Sequence, residues 1–140
     1  MNGFALAPRR WGLYVTVRRA LSEAEQDEFA DLFQRACWFL RGRGAGWSIV
    51  ADLCGVPLSP AMHERLADPM HLARQHGADR AAALVRGGRD AAVVAEALRA
   101  AGLAERARVL VAPQPGPEAL RRAHDWALKG AEPARIDRAA

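Results

Sequence analysis

The stretch Trp47-Ser48-Ile49-Val50-Ala51-Asp52-Leu53 decides the fold. Alternate residues of a strand point to opposite faces. Ile49, Val50, Ala51 and Leu53 therefore make both faces of this one apolar, and such a strand has to be covered twice, as in the middle of a parallel sheet. Asp52 is the exception near its C-terminal end, and Cys54-Gly55-Val56-Pro57-Leu58 follows as a loop.

Strand and helix patterns alternate on either side of this segment. Upstream, Trp11 to Arg18 reads as a strand, with Leu13, Val15 and Val17 alternating with Gly12, Tyr14 and Thr16. Ser22-Glu23-Ala24-Glu25 spells a capping box. Phe29, Leu32, Phe33, Ala36 and Leu40 follow as one apolar helical stripe, ended by Gly42, Gly44 and Gly46. Downstream, Ser59-Pro60 reads as an N-cap with proline at the first helical position. Met62, Leu66 and Met70 continue that helix, Asp68-Pro69 predicts a kink or restart, and Gly77 stops it. Ala81 to Val85 reads as a third strand. Gly87-Gly88 turns the chain into a helix capped by Asp90, carrying Val93, Val94, Ala97 and Leu98, with Gly102 just past its end. Arg108 to Ala112 is a fourth strand, Pro113-Gln114-Pro115-Gly116 a stiff loop, and Pro117 to Lys129 a last helix facing inward through Leu120, Ala123, Ala127 and Leu128.

This βαβαβαβα order predicts a single small α/β domain. Its four- to five-stranded sheet is mixed or parallel and flanked by helices, because parallel strands need crossover connections. The domain is expected over residues 11–129, between a flexible N-terminal arm, 1–10, and a flexible C-terminal tail, 130–140.

Composition agrees with a folded domain: 140 residues, 51% hydrophobic and 26% charged. No apolar run approaches the roughly 20 residues that span a bilayer, and the apolar part of Met1 to Pro8 is too short for a signal peptide. The expectation is a cytoplasmic protein with no membrane partner. The net charge is +4, and nineteen of the twenty basic residues are arginine, Lys129 being the one lysine. Arginine suits forked contacts to carboxylate and phosphate. Here it is scattered in pairs such as Arg9-Arg10, Arg18-Arg19 and Arg121-Arg122, without the dense block that marks a nucleic-acid partner. Cys37 and Cys54 have no C-x-x-C or zinc spacing and read as small buried hydrophobes in a reducing compartment.

Candidate functional residues are few. Asp52 lies where open α/β sheets gather ligand groups, beyond the carboxyl ends of strands; its alternative role is to cap the Cys54-Gly55 turn. Arg86-Gly87-Gly88-Arg89 is a glycine turn between strand and helix, flanked by arginines, of the kind that cradles an anion. It is neither a Walker A loop nor a G-x-G-x-x-G fingerprint, and Asp90 at the cap opposes a phosphate, so ordinary turn chemistry is the first reading. His63, His71, His76 and His124 form no metal pair, and no serine lies in G-x-S-x-G. No catalytic residue, metal or cofactor is expected. Trp38 is nine residues beyond Phe29, about 180° round the helix, and points outward; with Arg41 beside it, it marks a candidate interface.

Four features, taken in order over residues 11–129, resemble the SpoIIAA-like and STAS (SEC14-type) domains. A strand runs into a capped helix, Leu13 to Leu40. The central strand closes as Ile49-Val50-Ala51-Asp52-Leu53-Cys54-Gly55-Val56. A helix ends at His76-Gly77 before Arg80-Ala81-Ala82-Ala83-Leu84-Val85. The last helix holds Ala123-His124-Asp125-Trp126-Ala127-Leu128. The resemblance implies a non-catalytic module of a bacterial cytoplasm, for protein interaction or regulation. Its partner is another protein or a second copy of the chain. The alternative is a small anionic or lipid-like ligand, or weak enzymatic chemistry, at the C-terminal ends of the strands with Asp52, Arg86 and Arg89 as polar contacts. The family's regulatory Asp-Ser pair falls here on Pro60 and Ala61, so Ser59 is the nearest candidate phosphosite, competing with its role as a cap.

Overall fold

The computed structural model describes residues 3–43, 46–113 and 116–133. Phe4–Arg9 (β1) and Gly12–Val17 (β2) form an antiparallel hairpin. Glu23–Arg41 (α1), Trp47–Asp52 (β3), His63–Gln75 (α2), Ala78–Val85 (β4), Gly88–Ala100 (α3), Ala107–Val111 (β5) and Pro117–Lys129 (α4) follow. The five strands form one mixed sheet in chain order, β1-β2-β3-β4-β5, with β2 to β5 parallel. This is the expected small α/β domain with one more strand at its edge.

The chain-order sheet dictates the layers. Each crossover from β2 to β5 steps the same way, and right-handed crossovers then place α1, α2 and α3 on one face. After β5 there is no further strand to reach, and α4 returns over the opposite face, against β3, β4 and β5. Period two divides the core accordingly. Ile49, Ala51, Ala81, Ala83 and Val85 face the three-helix layer with Phe33, Leu40 and Val94. Val50, Ala82, Leu84 and Leu110 face α4 with Ala123, Trp126 and Ala127.

The structure corrects several expectations. The arm expected over 1–10 is, for Phe4–Arg9, an edge strand. Pro8 is tolerated because an edge strand leaves one side unpaired, and the Arg10-Trp11 turn lacks the glycine or asparagine that announces a hairpin. Phe4 is buried, its ring edge-on to Phe29 at 5.3 Å. Gly12 has φ 153°, and a Cβ on it would lie 1.8 Å from the Ser48 carbonyl oxygen, so only glycine lets β2 come this close to β3. Ser59 caps no α-helix: Pro60–Met62 is a 3-10 turn, and α2 begins after it without a side-chain cap. The helix runs on through Pro69 rather than restarting at Asp68, the cost being the hydrogen bond that proline cannot donate. Asp90 lies inside α3, whose cap is Gly87; its Oδ1 accepts from Leu58 N at 3.4 Å. Leu32 and Leu128 are partly exposed, because the buried rows run through Phe33-Ala36-Cys37-Leu40 and Ala123-Trp126-Ala127.

The tail expected from residue 130 is tied down as far as Glu132, whose carboxylate accepts from Arg108 Nε at 2.6 Å and Nη2 at 2.7 Å. Residues 134–140 lie outside the described residues, as do Gly44 in the loop after α1 and Gln114-Pro115 in the expected stiff loop.

The capping box forms as read, and it does more than end a helix. Glu25 accepts from Ser22 N and Gly3 N, both at 3.0 Å, and from Arg19 Nη1 and Nη2 at 2.7 and 2.8 Å. One carboxylate thus joins the helix start, the β2–α1 loop and the N-terminal strand. The Arg19 guanidinium first, then the two backbone donors, hold its pKa down at about 2. A pKa lowered by folding gives stability above the ordinary value of 4.5 that is lost as pH falls toward 2. Thermal melts across that window test this: the native chain should lose more melting temperature than Glu25→Gln, and identical slopes would contradict the role.

Candidate functional site

Between Ile49 and Val85, β3 and β4 turn only short side chains toward α1 and α2: Ala51 on the first, Ala81 and Ala83 on the second. Larger residues around them, Phe33, Ile49, Val85 and Leu40, hold the helical layer off the sheet. An alanine methyl does not cross that gap. The result is a cavity of about 590 Å³ between the layers, within the range of ligand sites. Val15, Ile49 and the three alanines form its floor, and Phe29, Phe33, Leu66, Met70, Val94 and Leu98 its walls. Ala51 and Ala83 are each 8% exposed although they sit mid-sheet on central strands, which is the cavity seen from its floor. Among the lining residues, Ala30 and Gln34 of α1, Arg65 and Asp68 of α2, and Pro57 are exposed, so the rim runs between these two helices and the β3–α2 loop.

The residues singled out from the sequence lie elsewhere. Asp52 Oδ1 accepts from Cys54 N at 3.0 Å, the turn-capping role. Arg86 Nε and Nη2 donate to Cys54 O at 3.0 and 2.7 Å. The two side chains therefore meet at one residue, but they use their polar atoms to fix its loop, and neither lines the cavity. Gly87 and Gly88 have open space where a Cβ would stand, Arg89 is exposed, and none of the three lines the cavity. Ser59 is exposed, its carbonyl accepting from Met62 N at 2.9 Å.

Trp38 points outward as its position requires and is 57% exposed, with the Arg41 guanidinium 5.1 Å from its ring and His76 at 5.2 Å. Phe39 beside it is 59% exposed, under Arg43. Sequence reading missed Phe39; its signal was a place one residue before the inward Leu40, about 100° round the helix. It also missed the cavity, whose signal was the alanine run of β4.

Cys37 and Cys54 are free and buried, and burial pushes their thiols up to about 12 and about 11, which leaves little thiolate for chemistry. His124 stacks among Trp11 and Tyr14 with Nδ1 2.9 Å from Leu120 O, and His71 lies 3.2 Å from Gln75. Among the described residues no three His, Cys, Asp or Glu side chains form a metal-binding group, and no helix is long and apolar enough to cross a membrane. No family model, curated protein or solved structure matches this chain.

If the cavity arises because alanine is short, Ala83→Leu fills space already present. It should fold and gain about 1 kcal/mol of stability in urea denaturation; a loss above about 2 kcal/mol, as overpacking gives, would mean the floor is already in contact with the helices.

Proposed function

We propose that this chain is a STAS/SpoIIAA-like binding module that holds an apolar or lipid-like molecule between α1, α2 and the sheet. The observation that carries this reading is the cavity of about 590 Å³ with its aliphatic and aromatic lining. An apolar hollow of this kind offers water few hydrogen-bond partners, so an apolar guest displaces it at little cost. Of the charged and amide side chains in the lining, Gln34, Arg65 and Asp68 are exposed at the rim, where Gln34 and Arg65 can meet the polar end of an amphipathic guest whose chain lies inside. The polar contacts of such a lipid-like ligand then lie at the rim and not at Asp52, Arg86 and Arg89. A second reading, a protein-interaction module, is favoured by the exposed Trp38 and Phe39.

Anilinonaphthalene sulfonate titrated into the full chain tests the cavity reading. Expected are saturable fluorescence, competition by oleate, and loss of both in the double variant Ala51→Leu, Ala83→Leu while the melting transition persists. Non-saturable fluorescence, or equal binding by the filled variant, would contradict it.

A further inference from the structure

Four arginines at one end of the sheet have no acidic partner. Arg9 ends β1, Arg10 turns the hairpin, Arg41 closes α1 and Arg43 follows it. All four are exposed, and none makes an ion pair among the described residues. Exposed arginines elsewhere have their acids: Arg35 has Asp31, Arg99 has Glu96 and Arg121 has Glu118. The stretches Phe4 to Ser22 and Leu32 to Ala51 contain no Asp or Glu at all. The fold brings these two stretches together, because Arg43 Nη1 donates to Arg9 O at 2.7 Å and to Arg10 O at 2.6 Å. Arg41 answers the negative end of the α1 dipole, but Arg9 and Arg10 belong to a hairpin and have no such use. Acids that reach this end are already taken, Asp79 by Arg106 and Asp125 by Lys129; Glu105 stands beyond α3, beside β5 at the far edge of the sheet. Three of the four exposed large hydrophobic side chains among the described residues share the end. Trp38 and Phe39 are on the last turn of α1. Leu128 is on the last turn of α4, which Ser48 and Arg80 tie to the starts of β3 and β4.

We propose that this end of the domain docks on the surface of an anionic lipid bilayer. Trp38 and Phe39 point about 100° apart round α1, so a flat surface meets both only at the end of the helix, where it also meets Arg41 and Arg43. Arginines among anionic headgroups contribute about fivefold in affinity each, and the aromatic rings enter the interface beside them. A phosphate backbone has no use for the apolar groups at this end, and a single-stranded nucleic acid needs open ring faces on which its bases stack. Here the Arg41 and Arg43 guanidiniums lie over Trp38 and Phe39, and His76 lies against Trp38. The acids of α1 stay clear of the surface. The last of them, Asp31, is about 10 Å back along the helix from Trp38 and is bridged to Arg35. The expectation of no membrane partner came from the lack of a spanning run, which docking at a surface does not need. The docking is independent of the cavity and gives Trp38 and Phe39 a lipid partner in place of a protein.

Co-sedimentation of the full chain with vesicles tests it, one set of equal parts phosphatidylglycerol and phosphatidylcholine and the other of phosphatidylcholine alone. The native chain should bind the anionic vesicles only, and less as salt is added. The double variant Arg9→Gln, Arg10→Gln should bind more than about tenfold more weakly with an unchanged melting temperature, since both side chains are solvent-facing and the Arg43 bonds go to backbone carbonyls. Arg89→Gln, Arg121→Gln removes the same charge toward the other end of the domain and should change binding by less than about twofold. Lipid brominated in its acyl chains should quench the native tryptophan fluorescence more than that of Trp38→Phe at equal bound fraction. A native chain that ignores anionic vesicles would overturn the docking. Equal losses in the two arginine pairs would trace binding to net charge and remove the corner from it. Tighter binding of a single-stranded oligonucleotide through Arg9 and Arg10 would assign the corner to nucleic acid and overturn the bilayer.

Discussion

One helical layer can stand at only one distance from the sheet beneath it, and that distance is set by its largest buried side chains. Phe33, Leu40 and Ile49, all essentially inaccessible, set it here. Ala51, Ala81 and Ala83 cannot span it, and protein interiors otherwise close such gaps to the density of organic crystals. The hollow under α1 and α2 follows from this mismatch between large side chains at its margins and methyl groups at its centre.

The opposite face shows what a filled version looks like. There β4 presents Ala82 and Leu84, and α4 answers with Trp126, whose indole covers the short floor. Its Nε1 donates to Ala81 O at 3.0 Å, and the Arg108 guanidinium lies 4.0 Å from its ring. Ser48, a buried hydroxyl, donates to Ala127 O at 2.7 Å and fixes the helix to β3, while Arg80 bonds the carbonyls of Ala127 and Leu128. The alanine-rich strand is thus plugged by an indole on one side and left open on the other. That difference separates the two faces: α4 secures the sheet, and the three-helix layer leaves a hollow above it.

The fold was legible because its signals are local. Ser22 and Glu25 form the box their spacing promises, Gly102 with φ 77° ends α3, and the two-sided apolar run of β3 is indeed central. What escaped depends on contacts distant in sequence. β1 is a strand because Phe4 finds Phe29 and because β2 offers an edge, neither of which Phe4–Arg9 encodes by itself. Asp52 and Arg86 drew notice as lone polar groups near strand ends, but Cys54 supplies both with backbone partners, a pairing invisible along the chain. The cavity was the hardest feature to read, since it is made by what Ala51, Ala81 and Ala83 lack. Trp38 was readable from angle alone, as an outward direction needs no knowledge of what lies opposite.

The most direct measurement is a methyl NMR titration of alanine-labelled protein with oleate. The alanine floor predicts saturable shifts of the Ala51, Ala81 and Ala83 methyls, with those of Ala123 and Ala127 under α4 unmoved. Unchanged spectra, or shifts distributed equally over both faces of the sheet, would contradict it.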